Sequence, residues 1–253
     1  MAVFAGRNWA EIVAYIGAGL AILAVLLLAV GPLGWRLGWW HFRFAFFWLM
    51  PGAAYAALAG AIVSILAVAL GWSHLGARSV ALAAVGIVLG AVIAYVPWQY
   101  NRLRGIVPPI HDITTDTANP PVFVAALKLR PKDANTVAYE GAELAKKQKD
   151  AYPDLAPVKL SAPPADAFKR ALDTANAMSG WTVVDSDPAS GRIEANETSR
   201  WFRFTDDVVI RVAADGAGSR IDVRSVSRVG RSDFGVNANR IRAYTTALNG
   251  RSS

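Results

Sequence analysis

Residues 11–36 read EIVAYIGAGLAILAVLLLAVGPLGWR, and no charged side chain lies between Glu11 and Arg36. A helix rises about 1.5 Å per residue, so roughly 20 apolar residues cross the hydrocarbon core of a bilayer. A cleavable signal peptide would have a shorter apolar core, a more basic start and a small-residue cleavage site. The sequence Gly31-Pro32-Leu33-Gly34 does not provide such a site, so the stretch predicts a membrane-spanning helix over about residues 12–33.

Two further uncharged runs follow, and they predict spanning helices over about residues 46–70 and 79–98. No acid and no lysine lies within the three predicted spans, which argues against an ion path. Small residues of the second span would let the helices approach closely. They are Gly52, Ala53, Ala54, Ala57, Gly60, Ala61 and Ala67. We therefore expect residues 1–100 to form a packed transmembrane region whose first partner is the lipid bilayer.

The charges near the span ends bear on orientation. With three spans, Arg7 and Arg78 share one side of the membrane. The other side carries Arg36, Arg43, Arg102 and Arg104. Cytoplasmic segments are enriched in Lys and Arg, so this count favours a cytoplasmic position for the residues after the third span.

Residues 101–253 have the composition of a soluble domain. Of the chain's 26 Lys and Arg and 19 Asp and Glu, 22 and 18 fall there, which gives a formal charge of about +4. The cations alternate with acids, whereas nucleic-acid binding needs a concentrated basic stripe, so no nucleic-acid partner is expected. The chain has no cysteine, which excludes disulfides, thiolate nucleophiles and thiol-ligated metals.

The second half begins with an extended arm. Residues 107–121 contain two proline pairs, which forbid a helix and favour extended backbone. Helices are predicted over 136–149 and 164–179, the second with Phe168, Ala171 and Ala175 on one face. A final helix is predicted after Ser232-Asp233, either of which can cap it.

From residue 181 the apolar pattern has a period of two. It predicts four strands over 181–184, 192–198, 207–212 and 220–229, joined by turns rich in Gly and Asp. The alternation breaks once in the last strand, which predicts a bulge near Arg224-Ser225. The order of elements predicts an α+β domain in which a four-stranded antiparallel meander is flanked by helices on one face.

Polar side chains concentrate where the last strand ends and the last helix begins, and in the arm. A helix start offers free N–H groups to an anion, so these residues are candidates for a phosphate or carboxylate site. The alternative is a structural network in which Arg228 and Arg240 pair with Asp112, Asp116 and Asp233, and such networks are common. The candidates are His111, Asp112, Thr115, Asp116, Arg224, Ser225, Ser227, Arg228, Asp233, Asn237 and Arg240.

A catalytic interpretation uses the same arm. His111 with Asp112 and Asp116 has the donor types of a metal or acid–base site, although the spacing matches no established metal motif. Ser227 with His111 and an aspartate has the residue types of a nucleophilic triad without a nucleophile elbow. We expect no metal and no cofactor.

Several phrases resemble the domain of unknown function 1499 family. They are residues 110–116 with Asn119-Pro120-Pro121, Ala151-Tyr152-Pro153-Asp154, residues 206–212, and residues 222–235 with Asn237 and Arg240. The resemblance covers about residues 105–249, and it implies no established activity. It also implies a single amino-terminal anchor and a position outside the inner membrane of a bacterium. Three predicted spans depart from that pattern, and the arginine count favours the opposite side, so sidedness stays open.

These observations predict a multi-pass protein of the bacterial inner membrane. Its soluble domain is expected to be a non-enzymatic module that binds a membrane protein or an anionic ligand such as a lipid headgroup. The alternative is a membrane-tethered hydrolase or metal-dependent enzyme that uses His111, Asp112 and Asp116.

Overall fold

The computed structural model describes residues 8–250, so Arg7, which entered the orientation count, lies outside the described part. The chain divides into two compact units between Leu103 and Arg104. The first unit is helical and the second combines helices with a sheet.

Within the described residues of the first unit, three helices are long and apolar enough to cross a membrane. They begin with α1 (Trp9–Arg36). The second span is continuous from α2 (Phe42–Phe44) through a π-helical turn (Ala45–Leu49) and α3 (Met50–Gly71) to a 3₁₀ turn (Trp72–His74). The third is α4 (Ala77–Arg104). The spans predicted from the sequence lie inside these bounds.

The three helices pack through small residues, as the composition of the second span predicts. Ser64 of α3 is buried between Gly17 of α1 and Gly86 of α4, and a Cβ built on either glycine would lie 2.3 Å from the Ser64 hydroxyl. A Cβ on Gly60 would lie 2.9 Å from the Gly17 carbonyl oxygen. The backbones are therefore so close that only glycine fits without displacement.

The second unit contains six strands and four helices among its described residues, in the order β1, α5, α6, β2, α7, β3, β4, β5, β6, α8. The strands are β1 (Asp112–Thr114), β2 (Val158–Leu160), β3 (Trp181–Asp187), β4 (Arg192–Thr198), β5 (Thr205–Asp215) and β6 (Gly218–Ser227). The helices are α5 (Ala126–Leu129), α6 (Ala142–Ala151), α7 (Pro164–Ala177) and α8 (Val236–Gly250).

The sheet is antiparallel, with strands in the order β1-β6-β5-β4-β3, and β2 also pairs with β6. The predicted meander corresponds to β3 to β6. The predicted strand count of four is wrong, because β1 and β2 pair one after the other along the free edge of β6. Each of these added strands has three residues, too short to show a periodic pattern.

Both faces of β6 are covered, and this corrects two predictions. The register of β5 against β6 is continuous through Arg224 and Ser225, so the predicted bulge is absent there; a register shift occurs instead between Val183 and Asp185. Alternation fails in β6 because Val226 is buried on the face opposite Ile221 and Val223. The prediction that helices lie on only one face of the sheet is therefore also wrong.

The two faces have different covers. On the helix face, α6, α7 and α8 bury the main apolar core, which includes Leu144, Phe168 and Tyr244. On the opposite face, which we call the arm face, the segment 115–137 passes across the sheet and places Phe123 and Ala126 against Val226. The prediction of a helix over 136–149 is shortened, since α6 begins at Ala142 after Gly141, whose φ is +80°.

Candidate functional site

The alternation of strand β6 separates the predicted site residues. Arg224 lies on the arm face and forms hydrogen bonds with Asp112. Ser225 and Ser227 lie on the helix face and contact Asn237 of α8. Successive side chains of a strand point to opposite faces, so the polar run that looks continuous in sequence forms two sites.

Asn237 is the centre of the helix-face network. Its side-chain oxygen accepts from the Ser225 hydroxyl at 2.6 Å. Its side-chain nitrogen donates to the Ser227 hydroxyl at 2.9 Å and to the main-chain oxygen of His111 at 3.0 Å. The arm, strand β6 and helix α8 therefore meet at one buried amide.

Arg240 joins this network to the two neighbouring strands. It donates to the Ser225 hydroxyl at 3.0 Å, to Glu197 at 2.6 Å and to Asp206 at 2.7 Å, and it also bonds the Asn237 side-chain oxygen. Burial lowers the pKa of Arg240, but the charges of Asp206 and Glu197 raise the pKa more, so the net shift is upward. The buried guanidinium is thus charged and fully paired.

Asp233 holds the start of α8. Its two carboxylate oxygens accept from the main-chain N–H groups of Gly235 at 2.9 Å and Asn237 at 2.8 Å. Burial raises the pKa of this carboxyl, against the effect of the two N–H donors. Asp233 is thus the cap that the sequence predicts, and its oxygens are occupied by the backbone.

Arg224 is the centre of the arm-face network. It forms a two-pronged ion pair with Asp112 at 2.9 and 2.6 Å, and it donates to the main-chain oxygens of Pro121 and Val137 at 3.0 and 2.7 Å. Both charged side chains are nearly inaccessible to solvent. Burial raises the pKa of Asp112, although the Arg224 charge acts in the opposite direction.

Two aromatic rings enclose the Arg224 guanidinium. The Phe123 and Tyr139 rings lie 5.4 and 5.5 Å from its central carbon, within cation–π range. The Tyr139 hydroxyl is buried without a hydrogen-bond partner among the described residues. Burial and the nearby Asp112 charge raise the pKa of Tyr139 to about 12, so this phenol is a neutral part of the cover.

Asp207 and Asp116 anchor the two ends of the arm-face network. Arg228 donates to Asp207 at 2.9 and 2.7 Å, and Arg130 pairs with the same carboxylate. Asp116 accepts from Arg211 at 3.0 Å and from Arg220 at 2.8 Å. The predicted pairing of Arg228 and Arg240 with Asp112, Asp116 and Asp233 is therefore wrong in its partners.

The pKa of Asp116 shifts in the direction opposite to that of Asp112. Burial raises this pKa, but the N–H groups of Asn119 and Ala118, the charge of Arg220 and the hydrogen bond from Arg211 lower it more. The neighbouring Thr115 serves the backbone: its hydroxyl accepts from the Val223 N–H at 2.9 Å. Both residues fix the arm to β6.

His111 lines a small cleft. The cleft has a volume of about 230 Å³, and its lining includes Glu140, Glu143, Lys147 and Arg231. Asp112 and Asp116 are held by arginines on the arm face, and the Ser227 hydroxyl accepts from Asn237. Within residues 8–250, no group of three His, Asp or Glu side chains is arranged to hold a metal ion.

A family model described as "Protein of unknown function (DUF1499)" matches residues 112–248, which is more than half of the chain. The chain belongs to this family. The resemblance noted in the sequence is thereby confirmed, and both networks lie within the matched DUF1499 domain.

Other comparisons with known proteins add little. No curated protein matches the chain. A crystal structure of TTHA0849 from Thermus thermophilus matches 39% of this chain and 97% of that chain, with 11% sequence identity and a TM-score of 0.24.

The arm face of the DUF1499 domain holds a carboxylate that sequence reasoning missed. Glu194 of β4 is fully buried, and it accepts from the main-chain N–H groups of Val124, Ala125 and Ala126 at 2.8 to 3.0 Å. A carboxylate at a helix start neutralises free N–H groups, and here it fixes α5 and the residues before it. The sequence feature that could have pointed to Glu194 is its place inside a predicted strand, because acidic residues are rarely buried without a partner.

Replacing Glu194 with Ala is expected to loosen the segment 122–129 without unfolding the sheet. Three main-chain N–H groups lose their acceptor. If this loss destabilises the segment by about 2 kcal/mol, their amides would exchange with solvent roughly 30-fold faster. Hydrogen exchange of the full chain measures this change. The matched control is Glu143→Ala, which removes an exposed carboxylate of α6 and should leave 122–129 unchanged. Equal exchange in both variants would contradict the role of Glu194.

Proposed function

We propose that this protein is a membrane-anchored, non-catalytic binding module of the bacterial inner membrane. Three spanning helices hold it in the bilayer, and the DUF1499 domain recognises a membrane protein or an anionic ligand such as a lipid headgroup. The proposal combines the three membrane-capable helices with the organisation of polar side chains in the domain.

One observation supports the proposal above others: the buried arginines at the centres of the two networks are held by acids and carbonyls of the domain itself. On the arm face, Arg224 is occupied by Asp112 and two carbonyls. On the helix face, Arg240 donates hydrogen bonds to Asp206, Glu197 and Ser225. Catalysis needs a nucleophile, a base or a set of metal ligands that faces a space open to substrate. The side chains of each of these networks are bonded within the network instead.

The networks act as a frame in this proposal. Paired charges that cross from the arm to the sheet hold 107–137 in one conformation, and a surface held in one conformation binds without an ordering cost. The candidates Asp112, Thr115, Asp116 and the β6–α8 residues are then positioning residues for the outer surface of the domain.

The test is to purify the full chain in mild detergent from its native membrane and to quantify proteins, lipids and metals that remain bound. The proposal expects a stoichiometric membrane protein or anionic lipid. It also expects that His111→Ala leaves this bound species unchanged, because the histidine lines the small cleft and belongs to neither pairing network through its side chain.

A different result would favour the enzyme alternative. A stoichiometric metal that is lost in His111→Ala, with no bound protein or lipid, would overturn the binding module and favour a metal-dependent enzyme. A chain that retains no protein, lipid or metal would also overturn it.

A further inference from the structure

The outer side of the arm-face cover is apolar. Four aliphatic side chains point away from the sheet within eight residues: Val122, Val124, Leu127 and Leu129 are 70, 45, 51 and 49% exposed. We call these four residues the apolar strip. Elsewhere in the described part of the DUF1499 unit, large apolar side chains this exposed are Ile106, Trp201 and Val236. Contiguous exposed apolar side chains mark an interaction surface.

The apolar strip is held rigidly from beneath. Phe123 and Ala126, which alternate with its members, are buried against Val209 and Val226 of the sheet. Glu194 binds three N–H groups of the same segment. The outward direction of the strip is therefore fixed by the fold and is not the result of a loose loop.

Basic side chains accompany the apolar strip. Lys128 and Lys132 are exposed, and neither pairs with an acid within residues 8–250. Asp133 is the acid of the segment 122–133. Exposed aliphatic side chains and exposed lysines therefore occur together in the single segment 122–132.

A second exposed element lies at the same end of the sheet. The loop between β4 and β5 carries Trp201, which is 63% exposed, between the exposed Arg200 and Arg203. Arg228 connects this loop with the apolar strip, because its main-chain N–H donates to the Thr205 carbonyl at 3.1 Å and its side chain donates to the Leu129 carbonyl at 2.9 Å. An amphipathic indole ring prefers the boundary between water and lipid.

We propose that the apolar strip, Lys128, Lys132 and Trp201 dock on the surface of the membrane that the chain spans. The aliphatic groups enter the boundary between headgroups and acyl chains, and the lysines bind anionic headgroups. The inference rests on the proposed function and names the lipid surface as the partner. Aliphatic groups, lysines and an exposed indole are the combination that interfacial segments use.

The absence of cysteine makes a direct test available. The variant Leu127→Cys carries a spin label on its single cysteine, and the full chain is placed in nanodiscs of phosphatidylcholine with or without phosphatidylglycerol. Power saturation then compares collisions of the label with oxygen, which concentrates in lipid, and with a water-soluble nickel chelate. We expect the Leu127 label to prefer oxygen in the anionic nanodiscs.

Two controls separate docking from general effects. A label at Val236, which is 49% exposed in the same unit, should collide with the nickel chelate in every lipid. The charge reversal Lys128→Glu with Lys132→Glu should abolish the oxygen preference at Leu127, whereas the matched reversal Lys149→Glu with Lys169→Glu should preserve it, since these exposed lysines lie on α6 and α7.

A Leu127 label that collides with the nickel chelate in both lipids would overturn the proposal. If a lipid or protein still co-purifies with the chain in that case, the binding module stands and the docking surface fails. Spin–spin broadening at Leu127 would show that a second copy of the chain covers the apolar strip, and this result would also overturn the proposal.

Discussion

Replacing Arg224 with Met is expected to lower the free energy of unfolding of the DUF1499 domain by about 3–5 kcal/mol. The substitution leaves the Asp112 carboxylate buried without its partner, and it removes the donors to the carbonyls of Pro121 and Val137. An unpaired buried charge has lost its hydration without compensation, which is why the loss exceeds that of an ordinary hydrogen bond.

The chain supplies a matched control in Arg242. It forms the same two-pronged ion pair, at 2.6 and 2.7 Å to Asp154, but the two side chains are 37 and 53% exposed. Arg242→Met should cost less than about 1 kcal/mol, because water solvates both groups before and after the change. The residue types and the geometry of the ion pair are alike, so the comparison measures the burial of the pair together with the two main-chain hydrogen bonds that Arg224 makes.

Pulse proteolysis of the full chain in detergent with increasing urea measures both variants. The double variant Arg224→Met with Asp112→Leu should regain part of the stability, because the unpaired charge is removed. Equal losses for Arg224→Met and Arg242→Met would contradict the assignment of Arg224 as the centre of the arm-face network.

Replacing Gly17 with Val is expected to separate the three membrane helices, at a cost of about 3 kcal/mol or more. A Cβ at this position would lie 2.9 Å from the Ser64 nitrogen and 3.0 Å from the Gly60 carbonyl oxygen. These are backbone atoms of α3, so a side-chain rotation cannot relieve the overlap. The helices have to move apart and lose the packing on which association in a bilayer depends.

Gly19 is the control for this variant. It lies two residues further along α1, and a Cβ built there has no atom of another helix within 4 Å. Gly19→Val should therefore leave the helix packing intact, although the change in helix propensity is the same. Fluorescence energy transfer between dyes on cysteines introduced at Leu37 and Leu103, followed during titration with SDS, gives the stability of each variant. Loss of transfer at the same SDS concentration in both variants would contradict the packing of α1 on α3 at Gly17.

Much of the architecture was determined by sequence alone, because it depends on local patterns. The uncharged runs predicted three helices of membrane-spanning length, since the thickness of a bilayer sets the number of apolar residues that a span needs. The period of two predicted the strands that correspond to β3 to β6, and Asp233 was named as a cap for α8. Each of these features is encoded by residues that are neighbours along the chain.

Tertiary structure decided how the polar residues are grouped. Asp206 and Asp207 are adjacent in sequence, yet Asp206 pairs with Arg240 on the helix face and Asp207 with Arg228 on the arm face. Strands β1 and β2 exist because β6 has a free edge to pair with them. A carboxylate can pair with any of several arginines, and nothing local selects among them. The choice follows from which strands and arms the folded chain places side by side, so it is made only when distant segments come together.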